Sequence, residues 1–413
     1  MFGMSHESAI RETTGTRRRA RNLPSQYPAI EPRRHQNPVN PRIGAAGAGW
    51  STTGSFIASA HSAFSMNLSS VSHSAHATVV TLRSPYLLFL GEADHDQRAK
   101  TAFGLRDWAP TRCLGQLRLP ACQVTLGLPD MTPAEAAANG GGSLVIGVAP
   151  KGGRIAENWI PVLHAAAEAG LDIVSGMHDS LAEVPGLSAL AEARGVRLVD
   201  VRNPPAGLPT GTGRKRSGKR LLTVGTDCAL GKKYTALSIA NALRERGVDA
   251  DFRATGQTGI MIVGSGLPMD AVVADFSAGA AEVLSPDAAP DHWDIVEGQG
   301  SLFHPAYAGV TLGLLHGSQP DALVLCHDPA ITRIKSLPDF LTPSLEAASE
   351  AYLRAGALTN PKIRLVGVSL ITDKMDAATR QRTLADAEQR LGVPAFDPLK
   401  TSLQPLIDQM LAQ

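Results

Sequence analysis

The sequence lacks the features that mark three large classes of protein. Its four cysteines, among 413 residues, form no C-x-x-C pair and no spacing typical of a zinc site, and such free thiols are typical of a reducing cytoplasm. The formal net charge of +1 lacks the strong basic excess of a general nucleic-acid binder. No apolar run approaches the ~20 residues of a membrane helix. We therefore expect a cytoplasmic protein that binds small molecules, without a nucleic-acid, membrane or metal partner.

The first eighty residues contain no lysine and no aspartate. They hold arginine clusters ("TRRRARN", "EPRRHQ") and then a Ser/Ala/His-rich run, with little periodic hydrophobicity. Such a segment cannot bury enough apolar surface to offset the entropy lost on ordering it. An arginine- and serine-rich, acid-poor start is also compatible with a transit peptide. We favour a disordered extension over 1–80, or upstream sequence read from too early a start codon, with Met66 as the true start.

Short apolar strands alternate with helices through the rest of the chain. This alternation predicts an α/β fold with two parallel-sheet domains, and the length is sufficient for two cores. We expect a Rossmann-like domain over 81–207 and a P-loop NTPase-like domain over 219–413. Residues 208–218, "LPTGTGRKRSG", have the composition of a linker. We expect the side chains of the basic cluster to be solvated, with anion binding as the alternative; the cluster is Arg214, Lys215, Arg216, Lys219 and Arg220.

A buried strand, a glycine-flanked turn and a helix follow one another in "LLTVGTDCALGKKYTALSIANAL", residues 221–243. Backbone N–H groups of such a turn can surround an anion, and the positive end of the helix dipole adds to the attraction. The alternative is a turn that glycine only tightens. We predict a phosphate-binding loop formed by Gly225, Thr226, Asp227, Gly231, Lys232 and Lys233.

The loop departs from that of nucleotide hydrolases at one position. Its glycine spacing is one residue longer than in the usual P-loop and resembles the "GTD-x-x-x-GK-[ST]" loop of dethiobiotin synthetase. Lys233 stands where that family has Ser or Thr, and an ammonium cannot ligate Mg²⁺ as a hydroxyl would; Thr235 lies on another face of the helix. The sequence therefore predicts a phosphate that is held and not transferred.

Three side chains near strand ends are candidates for acid–base catalysis. Glu297 follows the strand "WDIV" in "EGQGS", where a carboxylate facing the phosphate loop would act as a base or as an amine anchor. The alternative role is a cap for the next helix. His304 and His327 also follow strands, and imidazole titrates near neutrality. His316, within a helical run, receives no role.

Substrate-binding residues are predicted from arginines and from polar groups between glycines. Arg253 and Arg333 are expected to bind carboxylates, because a guanidinium can donate two parallel hydrogen bonds to one. "RATGQTG" places Thr255, Gln257 and Thr258 where a small polar ligand could be held; the alternative is an exposed turn. In the first domain, "APKGGRI" and "SGMHDSL" follow strands without a G-x-G-x-x-G fingerprint. If the domains face each other, these loops would close over the second-domain site.

Several motifs together resemble one family: "GVAPKGGRI", "SGMHDSL", "VGTDCALGKKYTAL", "RATGQTGIMI", "VADFSAGAAE" and "VEGQGSLFHPAYAGVTLGLLHGSQPDALVLCHDP". The chain is identified as a member of the D-glutamate N-acetyltransferase family, formerly known only as a domain of unknown function. The resemblance covers about residues 81–413. It implies a Rossmann-like and a P-loop-like domain, and transfer of acetyl from acetyl-CoA to the amine of D-glutamate.

Two other functions stay open at this point. The loop variant and "EGQG" are also similar to an ATP-dependent carboxylate ligase of the dethiobiotin synthetase type, which would need Mg²⁺. The first domain has the dinucleotide-binding type of fold but no G-x-G-x-x-G fingerprint, which is compatible with a protein that binds a nucleotide without catalysing a reaction. The apolar helices are compatible with a homo-oligomer.

Overall fold

Two parallel β-sheets form the centre of the structure, a computed structural model that describes residues 79–150 and 152–412. Residues 1–78 of the predicted disordered extension lie outside the described residues. Lys151 also lies outside them. All described residues belong to one compact unit. No helix within the described part of the chain combines the length and the apolar character needed to cross a membrane.

The first sheet has five parallel strands in the order β3-β2-β4-β5-β6. The second strand in this order, "YLLFLG", is buried at every position, as expected for an interior strand of a parallel sheet covered on both faces. The elements of this region are β1 (Val80–Thr81), β2 (Tyr86–Gly91), α1 (Lys100–Trp108), β3 (Cys113–Arg118), α2 (Pro133–Ala138), β4 (Ser143–Ile146), α3 (Ile160–Glu168), β5 (Asp172–Ser175), α4 (Leu187–Arg194) and β6 (Leu198–Asp200).

The second sheet has six parallel strands in the order β13-β12-β11-β7-β10-β8. Its elements are β7 (Lys219–Gly225), α5 (Lys232–Glu245), β8 (Ala250–Arg253), α6 (Gln257–Val263), β9 (Ser265–Gly266), α7 (Ala274–Leu284), β10 (Trp293–Val296), α8 (Ala308–Ser318), β11 (Ala322–His327), α9 (Leu345–Ala357), β12 (Arg364–Leu370), α10 (Ala377–Leu391), β13 (Ala395–Phe396) and α11 (Gln404–Leu411). The predicted α/β fold with two parallel sheets is confirmed.

The segment after β8 differs from the glycine-rich loop that the sequence predicted. Gln257 begins α6, and Gly259 lies inside that helix. A β-carbon at Gly259 would lie 2.4 Å from Glu297 Oε2, so glycine is needed there for close packing and not for a turn. The apolar run "IMIV" that follows is almost fully buried, which accounts for the helix.

The predicted solvation of the basic residues beside the linker is wrong for two arginines. Arg216 and Arg220 are 5% and 0% exposed. The Arg216 guanidinium donates to the carbonyl oxygens of Ser285 and Gly317 at 2.7 Å each. Arg220 donates to those of Ser217 and Pro286 at 2.9 and 2.8 Å. The two side chains thereby fasten the segment before β7 to the loop after α7.

Helix α6 also contacts the first-sheet region, and this contact brings the two sheets together. A β-carbon at Gly104 of α1 would be 3.5 Å from Thr258 and 3.8 Å from Ile262, so these helices pack without a gap. Trp108 at the end of α1 stacks on Tyr234 of α5, with ring centroids 5.7 Å apart. Strand β1 pairs with β9 in an antiparallel ladder. The carboxyl ends of both sheets therefore meet around α6.

Candidate active site

A cleft of about 1100 Å³ opens at the carboxyl ends of β7 and β10. Its walls come from the loop before α5, the loop after β10, the helices α7 and α8, and one arginine of the first-sheet region. Parallel sheets place ligands at this edge. The charged and polar side chains lining the cleft are Arg202, Cys228, Lys232, Lys233, Tyr234, Asp270, Ser277, Glu297, Gln299, Tyr307 and His316.

The loop before α5 presents a run of unpaired backbone donors. The N–H groups of residues 229–234 donate no hydrogen bond to any group that the structure describes. Ala229 and Gly231 line the cleft and adopt left-handed conformations, with φ of 56° and 77°; successive N–H groups in such turns form a concavity that binds anions. Because unpaired N–H groups at a helix start attract anions, this loop can hold a phosphate.

Buried hydrogen bonds fix the shape of this loop from behind. The Ser301 and Tyr352 hydroxyls each donate to the Gly225 carbonyl at 2.8 Å. Asp227 accepts from the N–H groups of Cys228 and Lys335, both at 2.6 Å. Thr226 is hydrogen-bonded to His327 Nδ1 at 2.9 Å. Thr226 and Asp227 thus support the loop and do not line the cleft.

The two lysines of the loop have different positions. Lys232 is 6% exposed, and its ammonium donates to the Asp227 carbonyl at 2.9 Å; burial lowers its pKa. Lys233 lies over the Tyr234 ring, with Nζ 4.5 Å from the centroid. Burial also lowers the Lys233 pKa, while the charge of Glu297 raises it. The nearby Thr235 hydroxyl is hydrogen-bonded to the Ser369 hydroxyl at 2.8 Å, on the other side of the helix.

Glu297 is a buried carboxyl that lines the cleft. Its Oε2 accepts from the N–H groups of Thr255 and Gly256, at 3.0 and 3.1 Å. Burial raises the pKa of Glu297, and the two N–H groups and the charge of Lys233 work in the opposite direction. Oε1 has no hydrogen-bond partner among the described residues. A carboxyl with a raised pKa and a free oxygen in a cleft is suited to accept a proton.

The glycine after Glu297 is required by close packing. A β-carbon at Gly298 would lie 1.7 Å from the Thr223 carbonyl oxygen of β7. The Gly298 N–H donates to the Thr223 hydroxyl at 2.9 Å. This contact holds the loop after β10 against the strand that leads into the phosphate loop.

The predicted histidines do not line the cleft, whereas one without a predicted role does. His304 is buried, accepts from the Ala306 N–H at 3.2 Å and packs on Tyr307. His327 is bonded to Thr226 behind the loop, and burial lowers its pKa. His316 lines the cleft, and its Nε2 donates to the Ala355 carbonyl at 3.1 Å. The available signal for His316 was its register on α8, because Gly309, Leu312 and Gly313 on the same face also line the cleft.

Asp227, Cys228 and His304 have potential metal-binding atoms within 4.8 Å of one another. Both carboxylate oxygens of Asp227 already accept backbone N–H groups, and His304 Nδ1 accepts another. The hydrogen bond uses the lone pair of His304 Nδ1, so only Nε2 of that ring is left to ligate a metal.

The predicted substrate residues are dispersed. Arg253 binds Asp294 and Asp251 at 2.5 and 3.3 Å, and Arg333 donates to the Pro338 carbonyl; neither lines the cleft. Thr255 is buried and binds Glu297. Thr258 faces α1.

Gln257 accepts a 2.8 Å hydrogen bond from Arg202, a residue for which no role was predicted. Arg202 also pairs with Asp270 at 3.2 Å and lines the cleft. Its position just after β6, at the carboxyl edge of the first sheet, was the available signal.

Comparison with known proteins gives the same two-part organisation. The family description "Domain of unknown function (DUF1611_N) Rossmann-like domain" matches residues 118–204, and "Domain of unknown function (DUF1611_C) P-loop domain" matches 208–407. A "D-glutamate N-acetyltransferase" of Tritonibacter scottomollicae is 49% identical over 331 residues, 80% of this chain and 99% of the relative. A protein of the same name from a Pseudoalteromonas species is 46% identical over 79% of this chain and 98% of its own length. The crystal structure of a DUF1611 family protein from Anabaena variabilis is also similar, with a TM-score of 0.69, 31% identity, and coverage of 80% of this chain and 100% of that one.

Proposed function

The chain belongs to the DUF1611 family, and from that membership we propose that it is an N-acetyltransferase acting on the amine of D-glutamate. The observation that carries this conclusion is the 49% identity to a D-glutamate N-acetyltransferase over 99% of that relative's length. The second relative, 46% identical, has the same name. The cleft described above, with a phosphate loop and a buried carboxyl, supplies groups that such a reaction needs.

We propose acetyl-CoA as the acetyl donor, with its phosphates held by the loop before α5. Six consecutive unpaired N–H groups and Lys232 fit phosphate oxygens. The position that would ligate Mg²⁺ in a nucleotide hydrolase is Lys233, and the Thr235 hydroxyl is bonded to Ser369. The arrangement therefore favours a ligand whose phosphates are only bound, as in CoA, over one whose phosphate is transferred. The volume of about 1100 Å³ exceeds that of typical drug-sized sites.

Glu297 is our proposed base. Acetyl transfer requires the substrate ammonium to lose a proton before its nitrogen attacks the thioester carbonyl. One ammonium proton passes to Glu297, and the nitrogen then forms a bond to the acetyl carbon. The C–S bond breaks, and the second nitrogen proton neutralises the CoA thiolate that leaves. Among His304, His327 and Glu297, only Glu297 lines the cleft.

The growing negative charge on the carbonyl oxygen needs donors. The Thr255 and Gly256 N–H groups bind Glu297, and that of Gly298 binds Thr223. The N–H groups of Gln299 and Gly300 donate to no group in the described ranges, so we assign this role to them.

A cytoplasmic location is proposed from the cysteines. All four, Cys113, Cys122, Cys228 and Cys326, are free thiols, as is usual where the cell keeps thiols reduced.

Thiol release from acetyl-CoA, measured with a panel of D- and L-amino acids, tests the activity. We expect release with D-glutamate, and no release with any amino acid would refute the proposal. Thermal-shift measurements with acetyl-CoA, CoA, Mg-ATP and NAD identify the ligand of the loop. A ligand at 100 times its Kd stabilises a protein by about 2.7 kcal/mol. Stabilisation by Mg-ATP alone would favour the ligase alternative.

A further inference from the structure

A second, smaller cleft lies beside the first, between the first-sheet region and α6. It has a volume of about 210 Å³, below the ~300 Å³ at which drug-sized pockets begin. Its floor is formed by the carboxyl ends of β4 and β5, and its opposite wall by Gln257 and Met261 of α6. This is room for one small molecule of amino-acid size.

The lining of the small cleft is rich in hydrogen-bond donors. Arg202, His178, Thr101 and Gln257 contribute their side chains, and no aspartate or glutamate within the described ranges lines it. The His178 ring, the Thr101 hydroxyl and the Gln257 amide nitrogen make no hydrogen bond to other described residues. A cation and several unpaired donors, without a carboxylate, are suited to an anionic ligand.

The arrangement of these groups is held by the backbone. The His178 N–H donates to the Gly153 carbonyl at 2.8 Å, and the Asp179 carboxylate accepts from the Ile155 N–H at 2.9 Å. Gly153 has a φ of 62°, and a β-carbon there would lie 2.5 Å from the His178 ring. Two loops of the first-sheet region are thus joined so that His178 faces the cleft.

Arg202 connects the small cleft with the large one, because it lines both. A guanidinium has five N–H donors, of which one reaches Gln257 and another reaches Asp270. Asp270 is 41% exposed, and exposed ion pairs contribute only about 0–1 kcal/mol. A ligand carboxylate can therefore compete for the remaining donors.

We propose that the small cleft binds the acceptor amino acid, with Arg202 and His178 holding its carboxylates; this rests on the proposed N-acetyltransferase function. Glu297 accepts its two hydrogen bonds from Thr255 and Gly256, and the next residue, Gln257, lines the small cleft. Glu297 itself lines the large cleft, so we place the ammonium of the bound amino acid at the start of α6, on the side that faces Glu297. Donor and acceptor thus enter through separate clefts and meet at Glu297.

The test uses the full chain and compares D-glutamate with D-glutamine, which lacks the second carboxylate. Arg202→Gln removes the cation, and His178→Ala removes a donor that only the small cleft contains. Loss of a charge-assisted hydrogen bond costs about 1.5–3 kcal/mol, so we expect KM for D-glutamate to rise ~10-fold or more. The ratio of kcat/KM for D-glutamate over D-glutamine should fall by a similar factor in Arg202→Gln. KM for acetyl-CoA should stay within about two-fold in His178→Ala.

Arg118→Gln is the matched control, because Arg118 is a partly exposed arginine paired with Asp130 elsewhere in the same region. It should leave both Michaelis constants unchanged. If Arg202→Gln fails to fold, His178→Ala supplies the comparison by itself. Unchanged KM for D-glutamate in these variants, or a change confined to KM for acetyl-CoA, would overturn the assignment while leaving the activity intact.

A binding measurement separates this inference from the proposed activity. D-glutamate is titrated into the wild type and into His178→Ala, without acetyl-CoA, and followed by NMR chemical shifts. Binding that is lost in the variant supports the cleft even if the wild type shows no turnover. Equal binding by both proteins refutes the cleft even if turnover is normal.

Discussion

Replacement of Glu297 by glutamine tests the proposed chemistry with little structural change. The side chain keeps its size, and the amide oxygen can still accept from the Thr255 and Gly256 N–H groups that now bind Oε2. The variant loses only the ability to take a proton. A positioned general base contributes about 10²- to 10⁴-fold to a rate, or about 3–5 kcal/mol of barrier. We expect kcat for thiol release with D-glutamate to fall by that factor, with KM for acetyl-CoA little changed.

The pH dependence supplies a second measurement on the same pair of proteins. Only the ionised carboxyl accepts a proton, so wild-type kcat/KM should fall as pH drops through the Glu297 pKa. Because burial raises that pKa, the midpoint should lie above the ordinary carboxyl value of 4.5. The variant should lack this step.

The Glu297→Gln variant should be less active than the wild type but at least as stable at pH 7. A carboxyl whose pKa is higher in the folded state than in the unfolded state binds protons more tightly when folded, so stability falls as pH rises between the two values. Glu297→Gln removes this loss, and its Tm at pH 7 should equal or exceed that of the wild type. Glu350→Gln, an exposed carboxyl paired with Arg354, is the control. Turnover within a few-fold of wild type in Glu297→Gln would show that Glu297 is not the base.

Three further predictions concern the loop and its supports. Lys232→Ala should raise KM for acetyl-CoA ~10-fold or more in the thiol-release assay, because a charge-assisted hydrogen bond to phosphate is lost; an unchanged KM would contradict phosphate binding there. Gly298→Ala should lower stability by about 3 kcal/mol in urea unfolding, because its β-carbon would overlap the Thr223 carbonyl; wild-type stability would contradict the packing. Arg220→Met should lower the urea midpoint, because it leaves the Ser217 and Pro286 carbonyls without their donor at about 1–3 kcal/mol each when buried; an unchanged midpoint would show that these bonds contribute nothing net.

Local patterns were enough to predict several elements around the second sheet, although not α6 or α7. The run "LLTV" followed by Gly225 and the apolar periodicity after Lys232 predict a strand, a turn and a helix, which are β7, the loop and α5. Ser344 and Asp376 accept from backbone N–H groups at the starts of α9 and α10. Such signals depend on neighbours in sequence, so one chain is sufficient to read them.

Partners that are distant in sequence were not predictable in the same way. Arg216 and Arg220 have the composition of a solvated linker, yet each finds carbonyl acceptors about seventy residues away that make burial possible. Arg253 was expected to bind substrate, but the neighbouring strand β10 places Asp294 beside it. These outcomes depend on which strands lie side by side, and the sequence pattern of one strand does not contain that information.

The sequence by itself determined the chemical character of the phosphate loop: Gly231 allows the left-handed turn, Lys232 supplies the cation, and Lys233 removes the metal-ligating hydroxyl. It also placed Glu297 at the carboxyl end of a strand. Only the tertiary structure decided that Glu297 accepts hydrogen bonds from the N–H groups of Thr255 and Gly256. It also decided that His327 lies behind the loop and that Arg202 reaches the cleft from the other sheet. The physical reason is that hydrogen bonding and burial in a site depend on close contacts between distant segments, which the packing of α6 between the two sheets creates.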